Sequence, residues 1–317
     1  MKKKYKLTAE TCEYEGRVLH RIVALKDFSS VKAGDKGGWI EKEGNLSQDG
    51  CCWVYGDAMV YGDAKVYGCA RVHDNSNVYG DAKVYGCARV HDNSNVYGDA
   101  KVYGCAMVYG NAKVHGSAKV CCDVRVYGDA DVLGNVIVCG NARVYGDAKV
   151  YGYAKVYGDS DVYGNAEVFG DVRVYGDADV LGNVIVCGNA RVYGDAKVYG
   201  DAKVYGDSDV YGNAEVYGKA NVYGNAEVYG KANVYGNAKV TNNRDLIVFK
   251  NWWSSGRYFT WTRSNNKWRV GCFYGTGEEL IAKAYSDSQE SGREYERVVK
   301  YVESILKDEQ QDNNNVK

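Results

Sequence analysis

Residues 144–168 read VYGDAKVYGYAKVYGDSDVYGNAEV, and valine returns in them at every sixth position. The same spacing runs from Val54 to Val240 without an insertion or a deletion. With valine as slot one, slot five is Ala, Ser or Val in every repeat. Slot three is Gly except at Asp74, Asp92 and Cys122, and slot six is mostly charged or Asn. Slots five and one lie two residues apart, so in an extended segment their side chains share a face. One small and one β-branched residue therefore point inward per repeat, with the polar slot six pointing out between them. Gly followed by Asp or Asn supplies the corner. A helix is excluded, because glycine every six residues would cost roughly 1 kcal/mol each against alanine.

One such strand cannot bury its own face. Coiling the chain so that strands stack about 4.8 Å apart buries a continuous valine–alanine core, which makes the stretch a parallel β-helix. Internal copies support a hexapeptide unit. Residues 67–84 recur as 85–102, residues 124–170 recur as 172–218 with two differences, and the twelve residues from Val210 recur from Val222. The shifts of 18, 48 and 12 share the factor six, so the hexapeptide is what must stay in register. If a coil takes 18 residues, a shift of 48 is two coils plus 12, which carries the copy onto another face and disfavours any site confined to one face.

The aliphatic slot one with a small residue two positions before it resembles the left-handed β-helix proteins with hexapeptide repeats, the superfamily that includes trimeric acyltransferases. The resemblance covers 54–240 and implies three hexapeptides per triangular coil. It departs from that family in placing Tyr, not Gly, directly after the aliphatic residue. The segment Asp27-Phe28, Val31-Lys32-Ala33-Gly34, Gly37-Gly38-Trp39-Ile40, Leu46-Ser47-Gln48 and Cys52-Trp53-Val54-Tyr55 is similar to the start of certain bacterial hexapeptide proteins ascribed a transferase role without a known substrate. Residues 244–308 are similar to a small domain fused to the ends of various bacterial and phage proteins. The expected fold is all-β: a single-stranded left-handed parallel β-helix with a small C-terminal α+β domain.

Both ends of a solenoid expose strand edges that need covering. Residues 1–50 read as the N-terminal cap and 51–241 as the β-helix. After Thr241, strands are expected near 245–250, 257–263 and 267–273. Thr276 with Glu279 then reads as a capping box before a first helix. Tyr295, Val298, Val299, Val302, Ile305 and Leu306 form the stripe of a second. The polar segment 309–317 reads as a disordered tail.

The 317 residues include Gly 39, Tyr 30, Phe 5 and no proline, the signature of a repeated motif, and the net charge is −1. That balance gives no electrostatic ground for nucleic acid or an acidic membrane. No apolar run approaches the roughly 20 residues that span a bilayer. The basic start lacks the apolar stretch of a signal peptide, and the eleven cysteines are odd in number, which reads as a reduced cytoplasmic chain.

Residues 18 apart should stack. Cys51, Cys69, Cys87 and Cys105 then form a ladder on one corner, a geometry within disulfide reach. A ladder diverges along a line where tetrahedral zinc wants convergence, so no metal is expected there, and copying of one cysteine explains the pattern. His73 and His91 stack likewise in the tyrosine slot. The acyltransferase resemblance makes them the candidate general bases, although they are a duplicated pair and His115 takes the same slot on another face. The tyrosine ladders, among them Tyr79, Tyr97, Tyr145 and Tyr163, offer a stacked surface for glycan or protein, or else stabilise the coil by about 0.2–1 kcal/mol per ring pair. Trp252, Trp253, Trp261 and Trp268 lie near Arg257, Arg263, Lys267 and Arg269, a pattern that suits single-stranded nucleic acid but is better read as the core of a domain of about 65 residues.

The first functional reading is a non-catalytic scaffold or interaction protein without a cofactor, forming a homo-oligomer or binding a protein partner through its end domain. The alternatives are a hexapeptide-class transferase acting as a homotrimer on an acyl-CoA-type donor, and a glycan-binding module of stacked tyrosines.

Overall fold

The computed structural model describes residues 3–315. Strands β4 (Trp53–Val54) to β35 (Lys239–Val240) are two to four residues long and follow one another through the repeats. They stack into three parallel sheets: β4, β7 (Arg71–Val72) and every third strand to β34 (Asn233–Val234) make face 1. The series from β5 (Met59–Val60) to β35 makes face 2, and that from β6 (Lys65–Val66) to β33 (Glu227–Val228) makes face 3. Register is 18 residues per coil, as in Val126↔Val144 on face 1 and Val114↔Val132 on face 2. With 11 strands on face 1 the solenoid has about 11 turns.

Each hexapeptide is stitched to the next coil by its even slots. The N–H groups of Asn141, Arg143 and Tyr145 donate to the carbonyls of Gly158, Ser160 and Val162 at 2.9, 3.0 and 3.0 Å. The slot-one valines and slot-five alanines, serines and valines are buried along the whole length. A hydroxyl in that core needs a partner, and Ser160 Oγ finds one by donating to the Tyr157 carbonyl of its own corner at 3.0 Å. Corner backbone explains slot three. Gly146 has φ +70, and a Cβ on it would lie 3.1 Å from the Gly164 nitrogen.

Both ends are closed. Strands β1 (Tyr5–Tyr14), β2 (Arg17–Ala24) and β3 (Lys36–Ile40) extend face 2, with β3 parallel to β5 (Met59–Val60) through Ile40↔Val60. Trp53 fills the junction, buried against Tyr5 and Phe28.

At the other end, four antiparallel strands form a small sheet: β36 (Leu246–Lys250), β37 (Tyr258–Thr262), β38 (Lys267–Val270) and β39 (Phe273–Gly275). Helices α1 (Gly277–Asp287) and α2 (Gln289–Asn315) pack on it. The capping box forms as read, with Glu279 N–H donating to Thr276 Oγ1 at 3.2 Å and Thr276 N–H to Glu279 Oε2 at 2.7 Å. The expected disordered tail is a correction: α2 continues from 309 to Asn315, where Arg263 binds the Glu309 carboxylate at 2.6 Å and ties the last turns to the sheet. Residues 316–317 of that tail lie outside the described residues. Among the described residues no helix is long and apolar enough to cross a membrane.

The last coil presents three unpaired slot-six N–H groups, one per face, and side-chain oxygens following the repeats accept all of them. Glu227 donates to Asn243 Oδ1 at 2.9 Å, Asn233 to Thr260 Oγ1 at 2.8 Å and Lys239 to Ser264 Oγ at 2.6 Å.

Candidate functional site

His73 and His91 occupy slot two of face 1, in a column of flat rings. Tyr55 stacks on His73 at 4.2 Å and His91 on Tyr109 at 5.0 Å, with planes within 3°. Burial pushes the His73 imidazole below its ordinary value, against the pull of the Asp74 carboxylate. The Asp replacing Gly at both corners has a structural use: Asp92 Oδ2 accepts the Gly110 N–H at 3.0 Å, which holds its carboxyl below the usual range. Its oxygen also lies 3.3 Å from His91 Nδ1. One ligand atom from each of Asp74, His91 and Asp92 falls within 4.8 Å of the others, a grouping of potential metal ligands that the sequence reading lacked. Asp74 comes to the adjacent His91 and Asp92 from the preceding coil.

A second histidine has a better-formed partner. His115 Nε2 lies 2.8 Å from Asp131 Oδ1 on face 2, with the ring stacked on Tyr97 at 4.5 Å. Asp131 belongs to the next coil, in slot six beside the residue paired with His115. From sequence His115 counted only as a histidine in the same slot on another face; the signal for its partner was present in the 18-residue register, two residues short of the stacked position.

The four tyrosines named from sequence fall on two faces. Tyr79 and Tyr97 stack at 4.8 Å on face 2, and Tyr145 and Tyr163 at 4.6 Å on face 1. They form two columns rather than one site. Beside the face 1 column the Arg143 guanidinium binds the buried Asp161 carboxylate with two hydrogen bonds, one of them 2.7 Å from Nε to Oδ1. The corner entering face 3 carries a shallow groove of about 550 Å³, walled by Asp63, Asp81 and Asp99 on one side and Lys65, Lys83 and Lys101 on the other.

On the corner between faces 3 and 1 a disulfide joins Cys51 to Cys69, with Cα atoms 4.5 Å apart. Reduced thiols were the expectation from the odd cysteine count. Stacking overrides that arithmetic, because any two cysteines one coil apart in slot four meet the distance a disulfide needs. Cys87 and Cys105 continue the ladder as exposed free thiols.

In the end domain Trp261 and Trp268 are buried in the core with Phe259, Trp253 packs against them, and Trp252 is exposed. Arg269 lies over the Tyr235 ring at 5.1 Å, joining the domain to the last coils.

No family model matches the chain. A stretch of 38 residues, 12% of the chain, is 50% identical to a protein of Escherichia coli K12 described as the uncharacterized acetyltransferase YdcK. The chain spans only 12% of that protein's length in the match. The similarity and the solenoid together fit a hexapeptide-repeat β-helix.

Proposed function

We propose that the chain is a non-catalytic scaffold, a stiff rod that presents repeated rows of side chains on three faces and recruits a protein partner through its end domain. The observation that carries this reading is the fate of a duplicated pair. Arg143–Asp161 on face 1 recurs in the copied segment as Arg191–Asp209, again with two hydrogen bonds, on face 3. Copying by 48 residues preserved the rod and its rows while turning the chemistry to another direction. A scaffold tolerates that turn, whereas a groove specific for one substrate does not gain from a copy aimed elsewhere.

A second reading is a transferase acting as a homotrimer on an acyl-CoA-type donor. The short likeness to an acetyltransferase and the His115–Asp131 pair favour it, since a carboxylate on one nitrogen orients the ring for a general base. In this reading a neighbouring subunit completes the site beside face 2.

Sedimentation in reducing buffer, followed by calorimetric titration with acetyl-CoA, separates the two. The scaffold reading expects no heat of acetyl-CoA binding at any oligomeric state. A trimer that binds acetyl-CoA and loses acetyl transfer on His115→Ala overturns it.

A further inference from the structure

The corner between faces 3 and 1 holds a sulfur in slot four of four successive coils. Cys51 and Cys69 are bonded, and Cys87 and Cys105 lie one and two coils further on. The backbone repeats at each rung: Cys69 and Cys87 both donate to a glycine carbonyl of the next coil at 2.7 Å, and Cys105 donates to the Cys122 carbonyl at 2.8 Å. Whatever geometry permits the bond at 51–69 is therefore presented again at 69–87 and at 87–105. Below Cys105 the same slot holds Asp123, which ends the row.

We propose that this corner is a thiol–disulfide exchange track, along which one disulfide moves a coil at a time. Exchange proceeds by attack of a thiolate on a disulfide sulfur, with the attacking, central and departing sulfurs in line. A ladder along the solenoid axis supplies that line, and its failure to converge, which spoils it for tetrahedral zinc, is what suits it here. The Cys87 thiolate attacks Cys69 Sγ; the 69–87 bond forms, the 51–69 bond breaks, and Cys51 leaves as a thiolate that takes up the proton Cys87 gave to solvent. No net oxidation occurs. A second step of the same kind, from Cys105, moves the bond to 87–105 and frees Cys69. A low-molecular-weight thiol or disulfide that reacts at Cys105 then addresses a bond whose nearer sulfur lies two coils away. Loss of hydration, then the Asp123 carboxylate and the Cys87 sulfur, hold the Cys105 thiol above its ordinary value, so exchange from that end quickens as pH rises.

Peptide mapping does not tell Cys69 from Cys87, because residues 66–71 and 84–89 are both VYGCAR. The readout is the number of thiols alkylated on the whole chain, unfolded without reductant after equilibration in a glutathione redox buffer. The parent chain takes nine groups. Cys51→Ser, or Cys51→Ala should the serine variant misfold, is expected to take two fewer than its thiol content, because the bond has moved to the next rung. A full complement means that Cys69 waits unpaired and overturns the track. Cys51→Ser with Cys87→Ser leaves no neighbouring rungs and is expected to take its full complement. A deficit of two there puts the pairing off this corner and overturns it as well.

Discussion

His73 shows how a single side chain in a row acquires a pH dependence without any partner chosen for it. Tyrosine is the usual occupant of its slot, and the ring lies flat under Tyr55 at 4.2 Å, half removed from water. That burial lowers its pKa from the ordinary value near 6.5. The unfolded chain therefore binds the proton first. Above the ordinary value neither state holds it and stability is unaffected. As pH falls through the window between the ordinary and the lowered value, only the unfolded chain is protonated, and stability drops. His73→Tyr restores the common ring and removes the window. Its urea midpoint is expected to fall less than that of the parent between about pH 7.5 and pH 5. An equal fall in both proteins would show that His73 titrates alike in the folded and unfolded chains. The stacked cysteines were legible as a ladder within disulfide reach, but the His115–Asp131 contact and the approach of Asp74 to His91 and Asp92 escaped sequence reading for one reason. Each joins residues one coil apart, and the sequence argument used stacking to line up like residues without asking what lies beside the stacked position.

At the scale of elements the repeats were fully legible, since inward slots two residues apart leave only a coiled strand. The capping box of the first helix and the stripe of the second were legible too. The fourth end-domain strand, Phe273–Gly275, was not, being three residues long and apolar only at its start. The continuation of α2 past Lys307 was hidden because no apolar stripe marks it; an ion pair from Arg263 to Glu309 anchors it from outside the helix. The sheet of the end domain serves the solenoid through hydroxyls that no periodicity announces. Thr260 is buried, and its Oγ1 accepts the Asn233 N–H at the exposed edge of face 1. Thr260→Val keeps the shape and removes the acceptor, which leaves a backbone donor unpaired in the junction. The expected cost is about 1–3 kcal/mol, read from chemical denaturation, against a few tenths for the same change at a solvated threonine. A neutral result would mean that water enters the junction and replaces the threonine hydroxyl as acceptor.

For the whole molecule the unit of tolerance is set by the inward face, and deletions test it directly. Removing Tyr145–Val150 joins Val144 to Tyr151 and leaves valine and alanine in phase throughout. Both caps keep the coils they touch, because the deletion lies far from each. Rows downstream turn by one face relative to those upstream, so Tyr127 stacks on Tyr151 in place of Tyr145 and the Arg143–Asp161 pair is broken at the junction. The new neighbour of Arg143 in the stack becomes Glu167, another carboxylate, in place of Asp161. The rod shortens by a third of a coil and should unfold cooperatively with a stability loss of about 1–2 kcal/mol, the scale of one lost stacked pair and one exchanged ion pair. Removing Tyr145–Lys149 takes one residue fewer and puts Val144 against Val150. The period of two then turns every downstream inward side chain to the outside unless the chain bulges. That variant is expected to lose cooperative unfolding or to aggregate, as followed by circular dichroism and sedimentation. The comparison isolates register from mass, since the smaller deletion is expected to do the greater harm. Equal stability of the two would show that the stacked rows of the surface, rather than the valine–alanine face, hold the solenoid in phase.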